Sequence, residues 1–338
     1  MQELKKILDQ IRKKQFHPVY FLMGEEPYYI DQIANGIEAE VLSEDQKGFD
    51  QLVVYGKDTT VNDLIANARR FPLMSDYQVI IVKEAQDLSK EIDQLEAYFS
   101  NVQPTTILVF CYKYKTLDKR KKIYKTLQKN ALLFESKKVR DYQLEGWINN
   151  FVKGQNYSIE PKAAAMLSEF IGNDLHRIAN EVKKLQIILP AGTHITADHI
   201  ETNIGISKEF NNFELIKAIA NKDEVSAYKI GYYFAQNSKN NPLVLTFGLL
   251  NNYFNKLLKY QGLTYNNAAQ NPKVLAKEMG VSEYAMKDYQ SGARHYPMKK
   301  VSRNLHLIRT FDMKSKGVGA GNMSHLDVMN ELLAELFN

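Results

Sequence analysis

Five short apolar runs separated by helix-patterned segments fill the first 140 residues, and this alternation constrains the fold more than any other feature of the chain. The runs are residues 19–23, 51–55, 78–83, 106–111 and 131–135, with helical patterns at 28–42, 61–70, 88–99 and 119–128 between them. Apolar strands joined by helices predict a parallel sheet, since parallel neighbours need a crossover and the crossover helices then bury both faces. From about Tyr142 the strand pattern stops. Residues 144–153 form a helix with Trp147, Ile148 and Phe151 on one side, and Pro161 sits at the start of the next, where its missing N–H costs nothing. Asn173-Asp174 caps a third, striped by Leu175, Ile178, Val182, Leu185 and Ile188, and the short segment 195–200 closes the unit. The remainder is again helical, over 213–220, 225–236, 244–260, 271–279, 282–293, 298–313 and 324–337. Ser324 with Asp327 has the spacing of a capping box. The expected organisation is an α/β domain over 1–140, a three-helix bundle over 141–207 and a helical domain over 208–338.

The first strand runs into a glycine turn and then a helix: Pro18-Val19-Tyr20-Phe21-Leu22-Met23-Gly24-Glu25-Glu26-Pro27-Tyr28-Tyr29-Ile30-Asp31. A nucleotide-binding protein carries its phosphate loop at such a place, with glycines for backbone approach, a Lys for the phosphates and a Ser/Thr for Mg²⁺. Counted from Gly24, those positions hold Tyr29, Ile30 and Asp31. A bulky ring fills the turn, an isoleucine replaces the lysine, and a carboxylate faces any phosphate. The third strand ends in Lys83-Glu84 where a metal-binding strand would end in Asp-Glu, and a lysine there would repel the cation. The layout is that of an NTPase without its chemistry. These segments alone leave two readings open: a retired ATPase fold, or an α/β domain that never bound nucleotide.

Other chemistries find little support. The 338 residues, 44% hydrophobic and 25% charged, suit a soluble globular protein of two or three domains. No apolar run is long enough to span a bilayer, and the first residues open a charged amphipathic helix rather than a signal peptide. The single cysteine, Cys111, lies inside an apolar strand, so no internal disulfide forms, a reducing cytosol fits, and the thiol reads as core. The seven histidines show no metal-ligand spacing, and no cofactor is expected. Net charge is +5, with Lys113, Lys115, Lys119, Arg120, Lys121, Lys122, Lys125 and Lys129 crowded on one strand end and the next helix. Such a cluster either tracks nucleic-acid phosphates or forms a solvated helix face.

The chain resembles the delta subunit of the bacterial DNA polymerase III clamp loader over essentially its whole length. The resemblance rests on the 18–28 segment quoted above, Phe71-Pro72-Leu73-Met74-Ser75, Val79-Ile80-Ile81-Val82-Lys83-Glu84-Ala85, Asn173-Asp174-Leu175-His176-Arg177-Ile178-Ala179-Asn180-Glu181 and Phe213-Glu214-Leu215, in this order. It implies a degenerate AAA+ module with a five-stranded parallel sheet, a small helical lid and a C-terminal helical collar. It implies a cytoplasmic protein that binds the ring-shaped sliding clamp (the beta subunit) and opens or holds open one interface. ATP hydrolysis would belong to other subunits, met through the collar. Catalysis by this chain is not expected, although the holoenzyme it would serve is a DNA-directed DNA polymerase. The clamp contact would be an apolar wedge before the third strand, at Phe71, Pro72, Leu73 and Met74. Many members carry aromatic residues at the last two positions, where this chain has Leu73-Met74; both still fill an apolar pocket. Primer–template DNA is a further implied partner, with Lys119, Arg120, Lys121, Lys122 and Lys125 as its candidate contacts.

Pro72 stops the helix before it and restrains Phe71. The residues alone allow Phe71 and Leu73 to tuck into the sheet's own core; the resemblance favours an outward wedge for Leu73 and Met74 and leaves Phe71 open. Two other functions are compatible with parts of the sequence: an active nucleotide-dependent enzyme, against which Ile30 and Lys83 speak, and a nucleic-acid-binding adaptor on a retired NTPase fold.

Overall fold

The computed structural model describes residues 2–207, 209–239, 241–265, 271–281, 283–319 and 321–338. The backbone divides into two compact units, Met1–Lys138 and Val139–Asn338.

In the first unit the order is α1 (Gln2–Arg12), β1 (Val19–Gly24), α2 (Pro27–Glu40), α3 (Glu44–Asp50), β2 (Gln51–Tyr55), α4 (Val61–Ala68), β3 (Gln78–Lys83), α5 (Glu96–Ser100), β4 (Thr106–Lys113), α6 (Lys122–Asn130) and β5 (Leu132–Ser136). All five strands are parallel, in the order β2-β3-β4-β1-β5. The central strands are buried along their length: Val19 to Met23 and Ile80 to Val82 are inaccessible. One face packs Val19, Phe21, Met23, Ile80, Val82, Leu108 and Phe110 against α4, α5 and α6 through Leu64, Phe99 and Leu127. On the other side α2 lies on β1, β4 and β5, with Ile30, Ile33 and Ile37 buried. Continuous apolar strands are what a sheet covered on both faces requires.

Two local expectations fail here. The helix expected over 88–99 is two short 3₁₀ turns, Ala85–Leu88 and Ile92–Leu95, followed by the single turn and a half of α5. Leu88, Ile92, Leu95 and Phe99 keep a helical spacing and are all buried, but tight turns deliver them to the sheet instead of one continuous helix. Conversely, α3 was not expected. Glu44–Asp50 carries no apolar stripe, yet Ser43 and Gln46 form a capping box that starts it.

The second unit contains α7 (Asp141–Gly154), β6 (Ser158–Ile159), α8 (Pro161–Ile171), α9 (Leu175–Ile188), β7 (His194–Ile195), α10 (Ala197–Ile204), α11 (Asn212–Ala220), α12 (Glu224–Gln236), α13 (Leu243–Tyr265), α14 (Pro272–Met279), α15 (Met286–His295), α16 (Met298–Ser315) and α17 (His325–Phe337). Three helices were expected before residue 208; the closing segment is a fourth, α10, and β6 pairs with β7 in a small parallel ribbon. Asp174 caps α9 by accepting from the Arg177 amide, and Ser324 caps α17 with Asp327 reaching back. The later helices share one core, in which Phe234, Phe247, Phe254, Tyr296, Leu332 and Leu336 are fully buried. The expected helix over 282–293 is seen as Met286–His295; Ser282, Lys208 at the expected domain boundary, and Ala320 lie outside the described residues.

Candidate functional site

At the carboxyl ends of β1, β3 and β4, where a nucleotide's phosphates and metal would lie in an NTPase, the chain supplies its own groups. The turn after β1 begins at Gly24, whose φ of +126° and whose 2.1 Å separation between a would-be Cβ and the Ser136 carbonyl oxygen admit only glycine. The amides that would face a phosphate are already bonded. Gly24 N–H donates to the Lys115 carbonyl (3.0 Å), Glu25 N–H to the Ser136 carbonyl (3.2 Å), and Glu26 N–H to Ser136 Oγ (3.1 Å). Pro27 has no N–H, and Tyr28 N–H donates to the Glu26 carboxylate (3.2 Å). Glu26, only 4% exposed, thus places an internal carboxyl group at the N-terminus of α2, the position a phosphate would occupy. Tyr29 is buried and Ile30 is inaccessible in the core, so no side chain at these positions reaches toward a ligand.

The metal position is likewise filled. Lys113, at the end of β4, sets its ammonium between Asp31 (3.0 Å) and Glu84 (2.8 Å). Glu84 adopts a left-handed backbone at φ +50°, and its second oxygen accepts from Gln86 Nε2 (2.7 Å); Gln86 in turn accepts from the Lys113 amide (3.0 Å). Burial by itself would raise the Glu84 carboxyl, but hydrogen bonds from Lys113 and Gln86 outweigh it and hold the group below its ordinary value. For Lys113, burial would lower the ammonium; the bonds to Glu84 and Asp31 prevail and raise it. The sequence put Lys83 in the cation's place. Lys83 makes no ion pair among the described residues, and Lys113 is the cation that faces the two carboxylates. Cys111, beside it on β4, is buried, and burial with the nearby Asp31 charge pushes its thiol up to about 12. No cluster of metal-ligating side chains occurs among the described residues, and no helix among them is long and apolar enough to cross a membrane.

The loop between α4 and β3 lies at the opposite, amino-terminal edge of the sheet. Its apolar side chains stand in solvent: Phe71 is 73% exposed, Leu73 77% and Met74 58%. Pro72 is half-buried. Phe71, which the sequence left open, points outward with the others. The loop is tied at both ends. Upstream, the Ala68 carbonyl that ends α4 accepts from Thr106 Oγ1 (2.9 Å) and Tyr98 OH (3.4 Å). Downstream, the carboxylate of Asp50, 2% exposed at the end of α3, accepts from the amides of Leu73 and Met74 (2.8 Å for Met74) and from Ser75 Oγ (2.8 Å). Burial would raise the Asp50 carboxyl, yet these donors hold it below its ordinary value. Neither Asp50 nor the exposed Phe49 beside it stands out in the sequence; the local signal is the Ser43–Gln46 cap of the helix that carries them.

The basic cluster is largely paired with the unit's own carboxylates. Lys119 meets Glu135 (3.0 Å), Arg120 meets Asp118 (2.7 Å), Lys121 meets Asp93 (2.6 Å) and Lys122 meets Glu96 (3.2 Å). Lys125 is exposed, and Lys113 is withdrawn into the triad just described.

The strand order, the turn after β1 and the helical remainder give the chain an AAA+-like fold. Residues 20–137 match the family model described as DNA polymerase III, delta subunit, and residues 209–329 match that of the delta subunit's C-terminal domain. The DNA polymerase III subunit delta of Bacillus subtilis (strain 168) is 26% identical over 315 residues, covering 90% of each chain. A solved structure of the Bacillus subtilis DNA clamp loader delta protein shares the fold at a TM-score of 0.61 and 24% identity, over 99% of both chains. The chain belongs to the DNA polymerase III delta subunit family.

Proposed function

We propose that this chain is the clamp-loader subunit that grips the sliding clamp through the 71–74 loop and opens or holds open its ring, leaving ATP hydrolysis to partner subunits. The observation that carries the reading is the exposure of Phe71, Leu73 and Met74 together on a loop tied at both ends. Large apolar side chains rarely stand clustered in solvent without a partner, and interface energy concentrates in a few such anchors. The internal groups at the retired nucleotide site support the second half of the reading, because Glu26 and Lys113 stand where phosphate and metal would have to enter. On this reading residues 141–207 act as the lid and 208–338 as the collar that meets neighbouring subunits.

The test is binding of the purified chain to its cognate sliding clamp, wild type beside Leu73→Ala/Met74→Ala. Loss of two anchors, each worth roughly 2 kcal/mol, should weaken binding by about 1,000-fold. Unchanged binding would move the contact elsewhere, and absence of binding by the wild type would overturn the assignment of the clamp as partner.

A further inference from the structure

We propose that Asp50 is the positioning residue of the 71–74 loop: its buried carboxylate fixes the backbone of residues 73–75 so that Leu73 and Met74 stand outward before any partner arrives. The inference rests on the clamp-contact reading above and adds to it the device that makes the wedge rigid.

The geometry is that of an internal clasp. Asp50 ends α3, 23 residues before Leu73, and makes no ion pair among the described residues. Its carboxylate is spent on the loop: Leu73 N–H donates to Oδ1, and Met74 N–H and Ser75 Oγ–H donate to Oδ2. Ser75 Oγ also lies 2.8 Å from the Tyr77 carbonyl, which links the clasp to the start of β3. A buried carboxylate without a cation is costly unless it gathers several donors, and here two consecutive amides and a hydroxyl supply them. While both amides are held by one carboxylate, the side chains of Leu73 and Met74 stand in solvent. A loop of this composition without the clasp would bury those side chains or sample many conformers, and ordering it on contact would then weaken the grip on a partner.

Asp50→Asn keeps the shape but presents an amide N–H₂ to backbone donors. In the full chain, this variant should bind the cognate clamp about tenfold more weakly. Hydrogen exchange at the Leu73 and Met74 amides should accelerate while the β1 and β4 amides keep their protection, a readout that general destabilisation would not produce. In a Leu73→Ala/Met74→Ala background, Asp50→Asn should have no further effect on clamp affinity, because it acts only through those side chains. Ser75→Ala removes one donor, and should give the same pattern at reduced amplitude if Asp50→Asn fails to fold. If the Leu73/Met74 variant loses the clamp while Asp50→Asn binds as wild type with protected loop amides, the clasp is refuted and the wedge stands. If the Leu73/Met74 variant binds normally, the wedge reading falls, and with it a clamp-positioning role for Asp50.

Discussion

Replacing Lys113 by methionine should open the first unit selectively and in a pH-dependent way. The ammonium bridges Asp31 and Glu84 at 3.0 and 2.8 Å, with side-chain exposures of 12% for the lysine and 27% and 33% for the two acids. Exposed pairs are worth about 0–1 kcal/mol, whereas removing one partner of a buried pair costs about 3–5 kcal/mol. A half-buried triad left with two facing carboxylates falls between, at about 2–3 kcal/mol. The chain carries its own reporters: Cys111 is the sole cysteine and is buried in β4, and Trp147 is the sole tryptophan and lies in the second unit. Pulsed labelling of Cys111 with a dithiodipyridine, which reacts down to acid pH, therefore reads opening of the first unit, while Trp147 fluorescence reads the second. At pH 7 labelling should accelerate about 30- to 150-fold, with the Trp147 transition unmoved. The depressed Glu84 carboxyl contributes stability that is present above its ordinary value and lost as pH falls through its folded value. The gap between wild type and variant should therefore close from about pH 5 downward. The raised Lys113 ammonium keeps its contribution at all pH values below its ordinary one and loses it only in strong alkali. A labelling rate that is unchanged, or raised equally at pH 7 and pH 4, would refute the triad as an electrostatic lock.

Two further substitutions test other features of the packing. Gly24→Ala places a Cβ 2.1 Å from the Ser136 carbonyl oxygen at φ +126°, and should cost roughly 3 kcal/mol, again seen as faster Cys111 labelling with Trp147 unaffected. Asn304 in α16 is fully buried, and neither of its amide atoms finds a hydrogen-bond partner among the described residues; Asn304→Leu, of similar branching, should stabilise the second unit by about 1–2 kcal/mol in urea unfolding followed by Trp147, and a loss would mean that the amide is satisfied in solution.

The sheet was legible because its strands are apolar on both faces, so that β2 and β3 could be bounded to the residue; β4 runs two residues further than expected, since Tyr112 and Lys113 still pair with Met23 and Gly24. The spacing of Leu88, Ile92, Leu95 and Phe99 misled because burial demands only that these side chains arrive on the sheet, which 3₁₀ turns achieve as well as a helix. The small ribbon β6–β7 was too short to leave a pattern. At the candidate sites, the sequence could reveal missing residue types but not what replaces them. Tyr29, Ile30 and Asp31 stand visibly in the wrong places for phosphate binding, whereas Lys113 reaches Asp31 and Glu84 only after β4 has been laid beside β1 and β3. Asp50 is invisible for the same reason: its partners lie 23 to 25 residues away, and nothing in the local sequence separates it from an ordinary surface acid.

The lock and the clasp sit at opposite ends of β3, with Glu84 just past its last residue and the Asp50-bound loop just before its first. Six residues of strand separate them by about 20 Å. A protein switched by nucleotide needs the carboxyl edge of its sheet to have two states of nearly equal free energy, because a ligand shifts an equilibrium only by its differential affinity for the two. On the reading proposed above, the carboxyl group of Glu26 and the ammonium of Lys113 take the places of phosphate and metal from within the chain, so that edge would be held in one arrangement and would offer a ligand nothing to bias. Under that proposal, the subunit would contribute force only through what it binds at the other edge. There, a loop with three exposed apolar side chains profits from being fixed in advance, since every increment of ordering cost removed from the free subunit goes into the grip on its partner. The loss of nucleotide chemistry at one end of the strand and the rigid apolar loop at the other are, on this reading, two parts of a single adaptation from motor to wedge.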